Sequence, residues 1–221
     1  MLFFDDRADA GRRLAVRLDH LRAQHPVVLA LPRGGVPVGF EVARALDAPL
    51  DLLLVRKIGA PDQPELAIGA VAEGDPPELV TDHRLLQALA ISPEALEAMK
   101  AREMTELQRR RAVYLGDRPR VAIGGRPVIV VDDGLATGAT MLAAVHAIRR
   151  QAPARVVVAV PVASPSSLRR LGRAADQTVC LGAPPEFGAV GQFYRRFPQL
   201  SDREVIDLLA RAAGFGQTEA P

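Results

Sequence analysis

Cysteine is nearly missing. Cys180 is the sole thiol in 221 residues, so no disulfide can close within the chain, and with 4 scattered histidines no His/Cys spacing suits a structural zinc. Lysine is almost as scarce: Lys57 and Lys100 are the two lysines among 28 basic residues, and the rest are arginines. That bias holds the isoelectric point at 9.1 while the net charge stays at +2. A chain so near neutral does not announce a polyanion, and the runs Arg109-Arg110-Arg111, Arg149-Arg150 and Arg169-Arg170 sit in helix-like stretches as solvated surface. Nucleic acid is therefore not an expected partner. Long apolar runs are absent too, none approaching the roughly 20 residues of a membrane helix. The opening Met1-Leu2-Phe3-Phe4-Asp5-Asp6 turns acidic where a signal peptide is basic. We expect a cytoplasmic chain with no membrane partner.

What is present is a hydrophobic content of 48%, enough for one sizeable core. Apolar runs of strand length alternate with helix-period stretches, the pattern of an α/β chain with a parallel sheet flanked by helices. The strands are expected at Val27 to Leu31, Leu50 to Val55, Val128 to Val131, Val156 to Val160 and Thr178 to Leu181, nearly continuous in Val, Leu, Ile and Ala. Helices are expected at Val38 to Leu46, Met141 to Gln151 and Ser166 to Ala174, the last behind a Ser164-Pro165 cap. Two regions break the alternation. From Gly59 to Pro77 the chain is rich in Gly, Pro, Asp and Glu around a strand-like run, Ala67 to Val71, and reads as a mobile loop or hairpin, taken as about 57–80. A helical insertion, about 82–116, follows and is expected to pack over one sheet edge. A capping box, Ser201 with Glu204, opens the last helix.

The chemistry is concentrated between Val128 and Met141. A buried strand ends at Val131, Asp132 and Asp133 follow, and a run of small and hydroxylated residues leads straight into a helix. Amides at a helix N-terminus favour an anion, and small residues let a phosphate approach the main chain. Two carboxylates at the carboxyl end of a strand are acceptors suited to a sugar's vicinal hydroxyls. Together they read as a site for a phosphorylated pentose. A Walker loop needs a lysine where Ala139 stands, and no G-x-G-x-x-G is present.

Residues Val130-Val131-Asp132-Asp133-Gly134-Leu135-Ala136-Thr137-Gly138-Ala139-Thr140 resemble, over its full length, the signature of the type I phosphoribosyltransferases. The resemblance implies a Rossmann-like core in a single domain spanning 1–221, with a mobile loop and a small hood built from N- and C-terminal segments. It implies phosphoribosyl pyrophosphate (PRPP) as substrate, with magnesium (Mg2+) bound alongside it, and a homodimer. Asp132 and Asp133 would hold the ribose hydroxyls, and Ala136, Thr137, Gly138, Ala139 and Thr140 the 5-phosphate.

Leu31-Pro32-Arg33-Gly34-Gly35-Val36 follows the first strand where that family carries its pyrophosphate loop. The resemblance places a non-proline cis bond at Pro32-Arg33. The glycines permit close backbone approach, and Arg33 offers a planar fork to phosphate oxygens. Arg56 and Lys57, at the end of the second strand, are further candidates to neutralise a departing pyrophosphate. For an acceptor base, Phe187, Phe193 and Tyr194 are stacking candidates. No metal ligand is assigned to a protein side chain. The reading is a glycosyltransferase that moves 5-phosphoribosyl from PRPP to a nitrogenous base, as in purine or pyrimidine salvage. A regulator of the same fold that senses PRPP or a nucleotide without transferring it is the alternative.

Overall fold

The computed structural model describes residues 3–74 and 76–216. Helix α1 (Arg7–Leu18) starts at Asp6, whose side chain accepts from the Asp9 amide, and turns Ala10, Leu14 and Leu18 inward. Strand β1 (Val27–Ala30) leads into α2 (Gly35–Leu46) and β2 (Leu50–Leu52). Next come three antiparallel strands, β3 (Val55–Ala60), β4 (Gln63–Ala72) and β5 (Glu78–Thr81), then α3 (His83–Ala88) and α4 (Pro93–Leu115). The chain returns as β6 (Pro127–Val131), α5 (Ala139–Arg149), β7 (Arg155–Val162), α6 (Pro165–Leu171), β8 (Gln177–Gly182) and α7 (Asp202–Arg211).

Five strands form a parallel sheet in the order β2-β1-β6-β7-β8. The expected strands are all there, with β2 shorter than its apolar run because the chain turns at Leu53-Leu54 into β3. Both faces are covered, which explains the unbroken apolar runs. Val28, Ala30, Ile129 and Val131 point to the side of α1 and α2, while Val27, Leu29, Val128 and Val130 point to that of α5 and α6. Sequestering each such side chain contributes roughly 1.5–3 kcal/mol.

The segment read as a mobile loop or hairpin is the antiparallel sheet β3-β4-β5. Among its glycines and prolines stand Ile58, Ile68 and Val71, all at most 1% exposed, which anchor the sheet to the main core. Beyond it, α4 packs on β3, β4 and α7. Two ties to buried carboxylates hold this arm: Arg111 and Arg120 reach Glu73, and the following segment runs beside edge strand β2, where the Val121 amide meets Asp51. Burial pushes the Glu73 carboxyl up, against the pull of both arginines. At the other end, Phe4 pairs with Phe193 and Arg195, so the segment before α1 and the one after β8 lie together, packed with Val162 of β7 and Leu181 of β8. The capping box of α7 forms as its sequence dictates, with Glu204 N–H donating to Ser201 Oγ at 3.3 Å. Among the described residues no helix is long and apolar enough to cross a membrane.

Candidate functional site

From β1 the chain leaves through α2 towards β2, whereas from β6 it leaves through α5 towards β7. Helices departing in opposite directions from adjacent parallel strands open a crevice at the strands' carboxyl ends, where sheets of this kind bind ligands. Both sequence segments singled out above end in this crevice.

On the β1 side lies the turn 31–35. The Leu31 amide donates to Val131 O at 2.9 Å, and the Gly35 amide returns to Leu31 O at 3.0 Å. The Pro32–Arg33 peptide is cis, as the resemblance implied. Neither Gly34 nor Gly35 has room for a side chain: a Cβ on Gly34 would land on the Asp133 carboxylate, and one on Gly35 would stand 2.6 Å from Val131 O. The turn is thus pressed directly onto the acid pair. Arg33 reaches outward, its guanidinium 3.7 Å from Asp202 and its side chain 36% exposed.

On the β6 side, Asp132 Oδ1 accepts the Asp133 amide at 2.8 Å. Burial, and then the charge of Asp133, push the Asp132 carboxyl well above its ordinary range. Burial also raises Asp133, but Arg7 opposes it through an Nε–Oδ2 bond of 2.8 Å. Tyr194 donates its hydroxyl to the Asp133 carbonyl at 2.6 Å, and burial with the nearby Asp133 charge drives its own pKa upward. Asp133, Gly34, Arg33 and Arg7 line a 520 Å³ cavity together with Val190 and residues 197–200.

The loop 134–138 is braced from outside. Leu135 bridges to Ala163, and the Ala136 carbonyl accepts from Ser164 Oγ at 2.7 Å and Ser167 Oγ at 2.6 Å. Arg170 donates to the Thr137 carbonyl at 3.2 Å. Gly138, with φ +71°, begins α5, and its carbonyl takes the Leu142 amide. The amides of residues 139–141 precede the first intrahelical bond and are free to meet an anion, with Ala136 and Thr137 exposed above them. Because two buried hydroxyls fix one carbonyl, Ser167→Ala is expected to cost about 1 kcal/mol and to loosen the loop. Thermal melting checks the first effect, and a several-fold weaker affinity for ribose 5-phosphate checks the second.

Several expected contributors lie elsewhere. Arg56 is paired with Glu103 of α4 at 2.7 Å and ties the helical arm to β3 rather than facing the crevice. Its neighbour Lys57 points the other way along the strand and lines a 740 Å³ cleft with Thr137, Ala139 and Arg170, beside the 134–138 loop rather than the 31–35 turn. Phe193 and Tyr194 are 8% and 6% exposed, packed under the terminal segments. Phe187 stacks on Phe193, while Tyr194 sits between Phe4 and Phe197, so these faces are spent on one another. Conversely, sequence reading passed over Arg7. Its signal was the cap Asp6 followed by inward positions 10, 14 and 18, an amphipathic helix that carries one arginine back to the sheet.

A family model described as a phosphoribosyl transferase domain matches residues 4–180. Two proteins of Mycobacterium tuberculosis, from strains CDC 1551 / Oshkosh and ATCC 25618 / H37Rv, each bear the name "Putative phosphoribosyl transferase" and are 48% identical over 212 residues. That match takes in 96% of this chain and 47% of each relative, so the chain spans about half the length of the curated relatives it matches. The crystal structure of TT1426 from Thermus thermophilus superposes with a TM-score of 0.83 at 46% identity, covering 95% of this chain and 99% of that one.

Proposed function

The chain belongs to the phosphoribosyl transferase domain family, and from that membership we propose that it transfers a 5-phosphoribosyl group from PRPP to a nitrogenous base with release of pyrophosphate. The observation that carries this reading is the contact of Gly34 with the Asp133 carboxylate. It sets a turn suited to pyrophosphate against an acid pair suited to ribose, with a phosphate-binding helix start on the other flank.

In the reaction a nitrogen lone pair of the base forms a bond to the anomeric carbon as the bond from that carbon to pyrophosphate oxygen breaks, with inversion. Catalysis is then largely electrostatic. Asp132 and Asp133 accept from the ring hydroxyls, and the start of α5 holds the 5-phosphate. Arg33 and the Gly34 amide receive charge on the leaving group, the Gly35 amide being held by the Leu31 carbonyl. Lys57 adds positive charge beside the phosphate loop. Magnesium supplies charge neutralisation on the pyrophosphate. The fit is with ligand oxygens, since one of the two site carboxylates is engaged by Arg7. Membership in this family leads us to propose a homodimer in the cytoplasm acting in purine or pyrimidine salvage.

The test is a panel of nucleobases and pyrimidine precursors incubated with the protein, magnesium and PRPP, followed by assay of pyrophosphate. Release that depends on one base supports the reading. Tight PRPP binding with no release for any base favours a sensor, and absence of PRPP binding overturns both.

A further inference from the structure

Arg7 stands outside the motif and outside every role assigned above. It is the first residue of α1, and its side chain is 10% exposed. The guanidinium is engaged on three sides. Nε donates to Asp133 Oδ2 and Nη1 to the Pro198 carbonyl, both at 2.8 Å, and the planar group lies 3.7 Å from the Phe197 ring centroid. Asp133 belongs to the acid pair, and Phe197 and Pro198 line the same cavity. A single side chain therefore ties the acid pair to the 197–198 segment within one cavity.

Electrostatics gives this bridge a consequence. The charged and titratable groups facing Asp133 are Arg7 from α1, Asp132 before it, Arg33 from the turn after β1, and Tyr194, whose hydroxyl bonds its carbonyl. Desolvation of both carboxyls, with the Asp133 charge acting on Asp132, favours a protonated pair, and Arg7 is the cation in direct contact with Asp133 that counters it. A sugar hydroxyl donates best to an ionised carboxylate, so a pentose ligand selects the state that Arg7 maintains.

We propose, resting on the reading of this site as a PRPP site, that Arg7 is a positioning residue: it keeps Asp133 ionised and aimed at the pentose, and it ties that carboxylate to the 197–198 segment lining the same cavity. A lysine cannot substitute for it fully. One ammonium does not reach two acceptors in a fork while lying flat on an aromatic ring.

The experiment is isothermal titration of PRPP with magnesium into wild type, Arg7→Gln and Arg7→Lys across a pH series. Arg7→Gln is expected to bind on the order of tenfold more weakly at the acid end of the series and to regain most of the loss towards its alkaline end, because alkaline solution then does what the guanidinium did. Its pH midpoint moves upward relative to wild type, and since the ligand's own phosphates titrate identically in both, the shift belongs to the protein. Arg7→Lys should keep a midpoint near that of wild type with weaker affinity throughout. A uniform loss at every pH in Arg7→Gln marks a merely structural residue and overturns the proposal. If Arg7→Gln fails to show a cooperative melt, Arg7→Lys decides, and wild-type affinity in that variant overturns it. Wild type failing to bind PRPP at any pH is a different result, which removes the functional reading itself.

Discussion

Asp132→Asn is expected to weaken PRPP binding by roughly 30- to 150-fold, the equivalent of about 2–3 kcal/mol of charge-assisted hydrogen bonding, while making the empty protein more stable. The second half follows from the sign of the pKa shift. Burial and the adjacent Asp133 raise the Asp132 carboxyl above its ordinary value of 3.8, so between that value and the raised one the folded chain holds a proton that the unfolded chain releases. Stability contributed at this position therefore falls as pH rises through that window. Asn has the same shape, still accepts the Asp133 amide, and carries no charge to desolvate. A gain of about 1 kcal/mol, or roughly 2–4 °C in Tm, is expected at neutral pH and should vanish in acid. The adjacent replacement behaves differently. Asp133→Asn loses comparable affinity but leaves the Arg7 guanidinium, 10% exposed, without its counter-charge, and should lower stability by about 1–2 kcal/mol. Melting curves with and without ligand separate the two. Equal stability changes in both variants, or undiminished affinity in either, would contradict this view of the pair.

The parallel strands and the helices between them were legible because each buries a continuous or evenly spaced apolar set, and that periodicity is local. The motif 130–140 was legible for the same reason: strand end, acid pair, small residues and helix start all fall within eleven consecutive positions. What the chain hid was non-local. Arg56 and Lys57 are neighbours in sequence, but strand pleating sends one to Glu103 and the other to the cleft beside Thr137. Their division depends on where α4 docks, which no short window encodes. The segment after Val55 offered its hairpin only as an alternative to a loop, and its third strand not at all, because small residues dilute the alternation; Ile58 and Ile68 are its buried isoleucines. Phe193 and Tyr194 looked available as aromatics in a loop, yet the N-terminal Phe4, nearly the whole chain away, covers them. Arg7 is the extreme case, joined to Asp133 across 126 positions.

Gly34→Ala and Gly35→Ala put the same methyl group on consecutive residues and should separate binding from folding. Neither backbone forbids alanine: Gly34 has φ −57° and ψ −39°, and Gly35 is the first residue of α2. Space alone decides. At Gly35 the new Cβ meets Val131 O at 2.6 Å and Asp132 Cα at 3.0 Å, both main-chain atoms of the central strand's end. They have no rotamer to change, so α2 has to lift from β6, at a cost of about 1–3 kcal/mol in stability. At Gly34 the methyl meets the tip of the Asp133 side chain, which can swing aside. Folding then suffers by about 1 kcal/mol, mostly the strained bond to Arg7. Binding suffers far more, because the swung carboxylate has left the place where the pentose hydroxyls need it, and PRPP affinity should drop by about two orders of magnitude. Chemical denaturation paired with titration reads both quantities on each variant. A Gly34→Ala protein that folds and still binds PRPP tightly would show that the turn and the acid pair do not act as one site.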